Sequence, residues 1–135
     1  MKRDGAMFAI DTNIVVRLIT QDDLDQNARV ERLLTDHDVL VDSTVLMESD
    51  WVLRSVYKLE SDQAVSALKA FVSLPRVTLR EPSRVAQALD WAAQGMDFAD
   101  ALHLAGAEDC EAFVTFDRRL AKTSADIGAP AVGEP

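Results

Sequence analysis

The sequence predicts an α/β fold, a three-layer α/β/α sandwich on a central parallel sheet of about five strands. Three observations carry that reading. Short apolar runs of strand length, MFAID, HDVLVD, RVTLREP, AFVTF and APAVG, are each separated by one or two helical segments. Strands that alternate with helices in this way form a parallel sheet covered on both faces. Asp11 closes the first run and Asp117 directly follows AFVTF, each at the strand end where such sheets bind ligands. No repeat, low-complexity tract or linker interrupts the 135 residues, so residues 7–135 read as a single domain behind a flexible leader, residues 1–6.

Taken in order, residues 7–11 are a buried strand and TNIVVRLIT continues as a helix. DDLDQNARVERLLTD is a second helix, capped by Asp22 or Asp23, with Leu24, Ala28 and the stretch 30–34 as its apolar side. HDVLVD is the next strand, and Ser43 or Thr44 caps a helix running to about Leu59. At about 100° per residue, Val45, Val52, Val56 and Leu59 share one face, with Glu48 at its edge. Asp50, Arg54 and Lys58 then form a solvated ladder at i,i+4 spacing.

Ser61 caps SDQAVSALKAFVSL, where Val65, Leu68 and Val72 share a face, and Pro75 stops it. RVTLREP alternates at period two, as an edge strand does. SRVAQALDWAAQG is a helix with Ser83 as cap and Gly95 past its end. DFADALHLAGAEDC is another helix, then the AFVTF strand, a short helix RRLAKTSAD, and APAVG as a last short strand.

Composition narrows the function. The net charge of −9, from 23 acids against 14 bases, argues against a protein that binds nucleic acid mainly by neutralising phosphates. An enzyme whose carboxylates hold cations is not excluded. Arg17, Arg29, Arg32, Arg54, Lys58, Arg118, Arg119 and Lys122 lie close in sequence to the candidate acids. No apolar stretch approaches the ~20 residues of a membrane span, and MKRDGAM lacks the h-region of a signal peptide. A single cysteine, Cys110, cannot form an internal disulfide, and the whole pattern fits the cytoplasm.

Four acids carry the candidate chemistry. Asp11 and Asp117 end strands, Glu48 borders an apolar helix face, and Asp100 follows Asp97 by three residues at the start of DFADALHLA. Each alone has a simpler account: a helix cap for Asp11, Asp97 or Asp117, a boundary residue for Glu48. Together they all fall at one sheet end or on helices leaving it. Two carboxylates about 4 Å apart repel by about 4 kcal/mol at an effective dielectric of about 20. Such a cluster holds protons or a hard cation, and oxygen-only ligands favour Mg²⁺ or Mn²⁺. Neither His37 nor His103 has a clear nucleophile partner.

FAIDTN, the ESDWVL helix with its embedded glutamate, DFADALHLA and VTFDRRL, in this order, together resemble PIN-domain ribonucleases. More narrowly they are similar to the VapC toxins of type II toxin–antitoxin modules, from Met7 to about Val132. The resemblance implies a PIN-like five-stranded sheet and a metal-dependent endoribonuclease that cuts RNA and inhibits translation. It implies a catalytic and metal-binding quartet of Asp11, Glu48, Asp100 and Asp117, with Asn13, Asp97 and Thr115 supporting it. It also implies a homodimer and a VapB-type antitoxin that inserts a segment into the acidic cleft. Arg17, Arg54, Arg118 and Arg119 are candidate phosphate contacts. The expected reaction is hydrolysis by a water activated on Mg²⁺ or Mn²⁺. One departure is the MKRDGA leader ahead of the usual start near Met7.

Two other readings compete. A PIN-like scaffold would bind partners without cutting. A receiver-like phosphoacceptor domain needs paired acids at the first strand end and a lysine from the last strand; Asp11 stands alone, and APAV carries no lysine.

Overall fold

The computed structural model describes residues 7–135, so the leader read at residues 1–6 lies outside the described residues. The chain divides into two compact units, Met1–Pro82 and Ser83–Pro135.

In the first unit, β1 (Met7–Ala9), β2 (Asp38–Val41) and β3 (Val77–Leu79) form a parallel sheet in the order β1-β2-β3. The register sets Phe8 beside Val39 and Val39 beside Val77. β3 is an edge, as its alternation predicts, and Val39 and Val41 of the central strand are fully buried. Helix α1 (Thr12–Thr20) follows β1 directly and packs on α2 (Leu24–Asp36), α3 (Ser43–Ser55) and α4 (Ser61–Val72).

Three sequence readings need correcting here. Asp23 caps α2, accepting from the Gln26 N–H at 3.0 Å, but Leu24 and Ala28 are exposed. The inward stripe is instead Asn27, Val30 and the half-buried Leu34, at helical spacing. Asp42, rather than Ser43 or Thr44, caps α3, and the helix stops at Ser55, well before Leu59. Beyond it Lys58 adopts φ 61°, and the Leu59 N–H turns back to the Leu53 carbonyl at 3.0 Å. The buried stripe of α3 is Leu46, Ser49, Asp50 and Leu53. Val56 is 61 % exposed while Asp50 is 2 % exposed, the reverse of the expected ladder. The i, i+3, i+4, i+7 spacing places Asp50 between two leucines, and Arg54 neutralises it there at 2.7 Å.

Ser61 is the first residue of α4 rather than its cap; the Gln63 side chain accepts from the Glu60 N–H at 2.8 Å. Val65 and Leu68 are buried as expected, joined by Ala64 and Phe71.

Helix α5 (Pro82–Ala93) leads into the second unit and opens at Pro82, ahead of the expected cap Ser83. Proline suits a first helical position because its missing N–H has no partner to lose there. Gly95 ends the helix at φ 112°: its N–H reaches Ala92 O at 3.1 Å and the Met96 N–H reaches Trp91 O at 3.2 Å. This Schellman closure requires a left-handed residue, which glycine supplies without steric cost. Then come α6 (Phe98–Ala105), β4 (Phe113–Val114), α7 (Arg118–Asp126) and β5 (Val132–Gly133). Arg84 Nε ties α5 to α6 through Leu102 O at 2.8 Å.

β4 and β5 pair with each other in parallel. Among the described residues the strands thus form a three-stranded and a two-stranded sheet, where one sheet of about five was expected. The AFVTF run gives only two ladder residues, and Val114 and Phe116 are exposed at 58 % and 79 % rather than buried between strands. Among the described residues no helix is long and apolar enough to cross a membrane.

Candidate functional site

In the first unit the candidate acids gather at the start of α1. Asp11 is its N-cap: extended backbone lets Oδ1 accept from the Ile14 N–H at 3.3 Å. One carboxylate oxygen serves the cap, and the other has its own two lone pairs. The next residue, Thr12, is buried and donates its hydroxyl to Glu48 Oε1 on α3. Thr12 therefore links the Asp11 turn to the Glu48 carboxylate, which is itself exposed. Asn13, exposed in the first turn, lines the same cleft as Asp11.

Arg17 lies one and a half turns along α1 and is held on three sides. Its Nε bonds Gln26 Oε1 at 2.6 Å, and its Nη1 bonds Asp22 Oδ1 at 2.9 Å and the Tyr57 hydroxyl at 3.1 Å. Tyr57 in turn donates to Asp22 Oδ2 at 2.8 Å. That donation, more than any other contact, holds the Asp22 carboxyl below the usual carboxylate range. Tyr57 is likewise the main cause that raises the Arg17 pKa, with Asp22 adding to it. Arg54 places Nε and Nη2 on Asp50 Oδ2, at 3.1 and 2.7 Å.

In the second unit three acids sit around the starts of α6 and α7. Asp97 caps α6, its Oδ2 accepting from the Asp100 N–H at 3.2 Å. Asp117 caps α7, its Oδ1 accepting from the Arg119 and Leu120 N–H groups at 3.0 Å each. Thr115 Oγ1 accepts from the Asp117 N–H at 3.0 Å and so fixes that turn. Burial first, then the negative charges of Asp97 and Asp117, push the Asp100 carboxyl above the usual range; His103 and Arg119 oppose this only in part. Arg118 is exposed, with Nε 3.8 Å from Glu134.

The structure thus joins Asp11 to Glu48 through Thr12, and sets Asp97 and Asp117 against Asp100. Asp11, Asp97 and Asp117 are all helix caps, as the simpler account expects. Among the described residues no three His, Cys, Asp or Glu side chains form a ready-made cluster for an ion. Mg²⁺ keeps several waters and takes only one or two carboxylates alongside substrate phosphates. The donors are all oxygen, and Asp100 carries a charge its surroundings disfavour, which a hard cation would relieve. The sequence reading missed Thr12, hidden between two more conspicuous polar residues in DTN, and Gln26, whose contact with Arg17 crosses nine positions of chain.

The PIN domain family model matches residues 8–126. A comparison with curated proteins gives no match. Among solved structures, the chain is similar to one in the crystal structure of VapBC2 from Rickettsia felis bound to a DNA fragment from their promoter. The two are 18 % identical, with 96 % of this chain and 98 % of that chain covered and a TM-score of 0.40.

Proposed function

The chain belongs to the PIN-domain family, whose pattern spans residues 8–126 across both units, and on that premise we propose that it is a metal-dependent endoribonuclease and the toxin of a VapBC-type pair. Residues 7–135 act as one PIN domain in this reading. The observation that carries it is Asp100, a carboxylate disfavoured by burial and by two neighbouring aspartates. Acids whose environment disfavours their charge concentrate at functional sites.

Asp11, Glu48, Asp100 and Asp117 would hold Mg²⁺ or Mn²⁺. When bound, the ion supplies Lewis acidity and lowers the pKa of a water toward neutrality. The chain's own residues do the rest. Thr12 orients Glu48, Thr115 orients the Asp117 turn, and Asp97 fixes the start of the helix that carries Asp100. Arg119, already close enough to Asp100 to lower its pKa, supplies positive charge beside the acids. The likeness of its motifs to VapC toxins supports RNA as substrate, a VapB-type antitoxin as inhibitor and a homodimer as the working form in this proposal.

The test is cleavage of structured RNA by purified, antitoxin-free protein with Mg²⁺ or Mn²⁺, beside an Asp11→Ala control. Cleavage by the wild type alone supports the proposal. Cleavage by both proteins, or by neither, sinks it.

A further inference from the structure

The first unit carries a cleft of about 550 Å³ between α1 and α2, with Asp11 and Asn13 near the start of α1 and Arg17, Gln26 and Arg29 along it. Its floor is apolar, from Val30 and Leu33. We infer that this cleft is a subsite for single-stranded RNA beside the scissile bond, with Arg17 and Arg29 holding a neighbouring phosphate and the apolar floor receiving its nucleoside. The inference rests on the ribonuclease reading and extends it to where the strand runs.

Three features argue for a strand rather than a solvated surface. The Arg17 guanidinium is pre-positioned: Gln26, Asp22 and Tyr57 fix Nε and Nη1, while Nη2 makes no hydrogen bond among the described residues. A planar fork whose Nε and Nη1 are held by three partners while its Nη2 donors are unused is suited to phosphate oxygens. Arg29 is the opposite kind of group. Its contact with Asp25 is 4.0 Å long and the two side chains are 71 % and 84 % exposed, so it is free to swing onto an anion. An exposed pair of this kind contributes little. Finally, Asp11 and Arg17 are six residues apart on one helix end, an axial rise of about 9 Å. That places an anion-binding group close to a candidate catalytic carboxylate without neutralising it, on a chain whose net charge is −9.

Tyr57 is a positioning residue in this scheme, since it acts on the phosphate only through Arg17. The experiment measures equilibrium binding of a labelled single-stranded RNA of roughly 12 nucleotides, within the site sizes of such grooves, over a series of salt concentrations in EDTA. Arg17→Gln and Arg29→Gln are each expected to weaken binding by about 3- to 10-fold and to reduce the salt slope by about 0.7. Arg32→Gln, an exposed charge on the same helix outside the cleft lining, controls for net charge and should leave the slope as it is. Tyr57→Phe should raise Kd without changing the slope, because the charge stays but its aim is lost; a merely structural role would lower Tm and leave Kd alone.

If both cleft variants bind with wild-type slope, the subsite is overturned, even where the wild type cleaves RNA normally. If the wild type binds RNA with these slope losses but never cuts it, the ribonuclease reading fails and the subsite stands. If the wild type binds no RNA, or if the cleft variants lose affinity only for a protein partner, the subsite is wrong.

Discussion

The most discriminating test of the packing is the Asp50–Arg54 pair, where the sequence reading and the structure give different magnitudes. A solvated i,i+4 ladder pair contributes about 0.3–0.5 kcal/mol. In the structure, however, the Asp50 side chain is 3 % exposed, Arg54 is 31 % exposed, and two guanidinium nitrogens lie 2.7 and 3.1 Å from one oxygen. Hydrogen bonds to charged groups contribute about 1.5–3 kcal/mol, and the partial exposure of Arg54 places this pair near 2 kcal/mol. Both residues make further contacts, so single substitutions would mix several losses. A double-mutant cycle of Asp50→Asn and Arg54→Gln isolates the pairwise part. At about 2.1 cal/mol/K per residue near 60 °C, 135 residues give an unfolding entropy of about 0.28 kcal/mol/K. The coupling then amounts to about 7 °C in Tm by differential scanning calorimetry, against about 1–2 °C for a surface ladder. A coupling below about 0.5 kcal/mol would refute the buried-pair account and return Asp50 to solvent.

Three further outcomes follow from the candidate site. Mg²⁺ at about 100 times its Kd should stabilise the protein by about 2.7 kcal/mol, or about 10 °C in Tm; an identical melting curve in EDTA would count against a preformed metal site. Because the Asp100 pKa is raised in the folded protein, the native state binds that proton more readily than the unfolded chain, and stability falls as pH rises through the raised value. Metal-free Asp100→Asn should therefore melt above the wild type at neutral pH, with the gap closing in acid; a constant gap across the pH series contradicts this. Thr12→Val removes the donor to Glu48 while keeping the shape of a buried side chain. We expect a loss of about 1 kcal/mol, or about 4 °C in Tm, together with slower cleavage; full activity would show that Thr12 does not orient Glu48.

Local chemistry was legible where local rules suffice. Asp23 and Asp97 open helices and Gly95 closes one in the way their residue types predict, since capping involves only the next few backbone groups. The alternation of RVTL marked an edge strand because one solvated face leaves a period-two trace. The helix faces were less legible. On α3 the β-branched residues drew the reading toward Val45, Val52 and Val56, but burial follows what packs against a helix, and there Leu46 and Leu53 face inward with Asp50 between them.

For this protein the sequence by itself determined the order of strands and helices, the caps at Asp23, Asp97 and Gly95, and the set of acids and bases from which a site is built. Motif spacing was enough to indicate the PIN family. Tertiary structure alone decided which charge is buried, which hydroxyl meets Glu48, and which arginine is held toward a cleft. It also decided that, among the described residues, five short strands divide into two sheets. Periodicity records how a residue sits on its own element. The contacts of Tyr57 with Arg17, or Thr12 with Glu48, cross 40 and 36 positions of chain and leave no periodic trace.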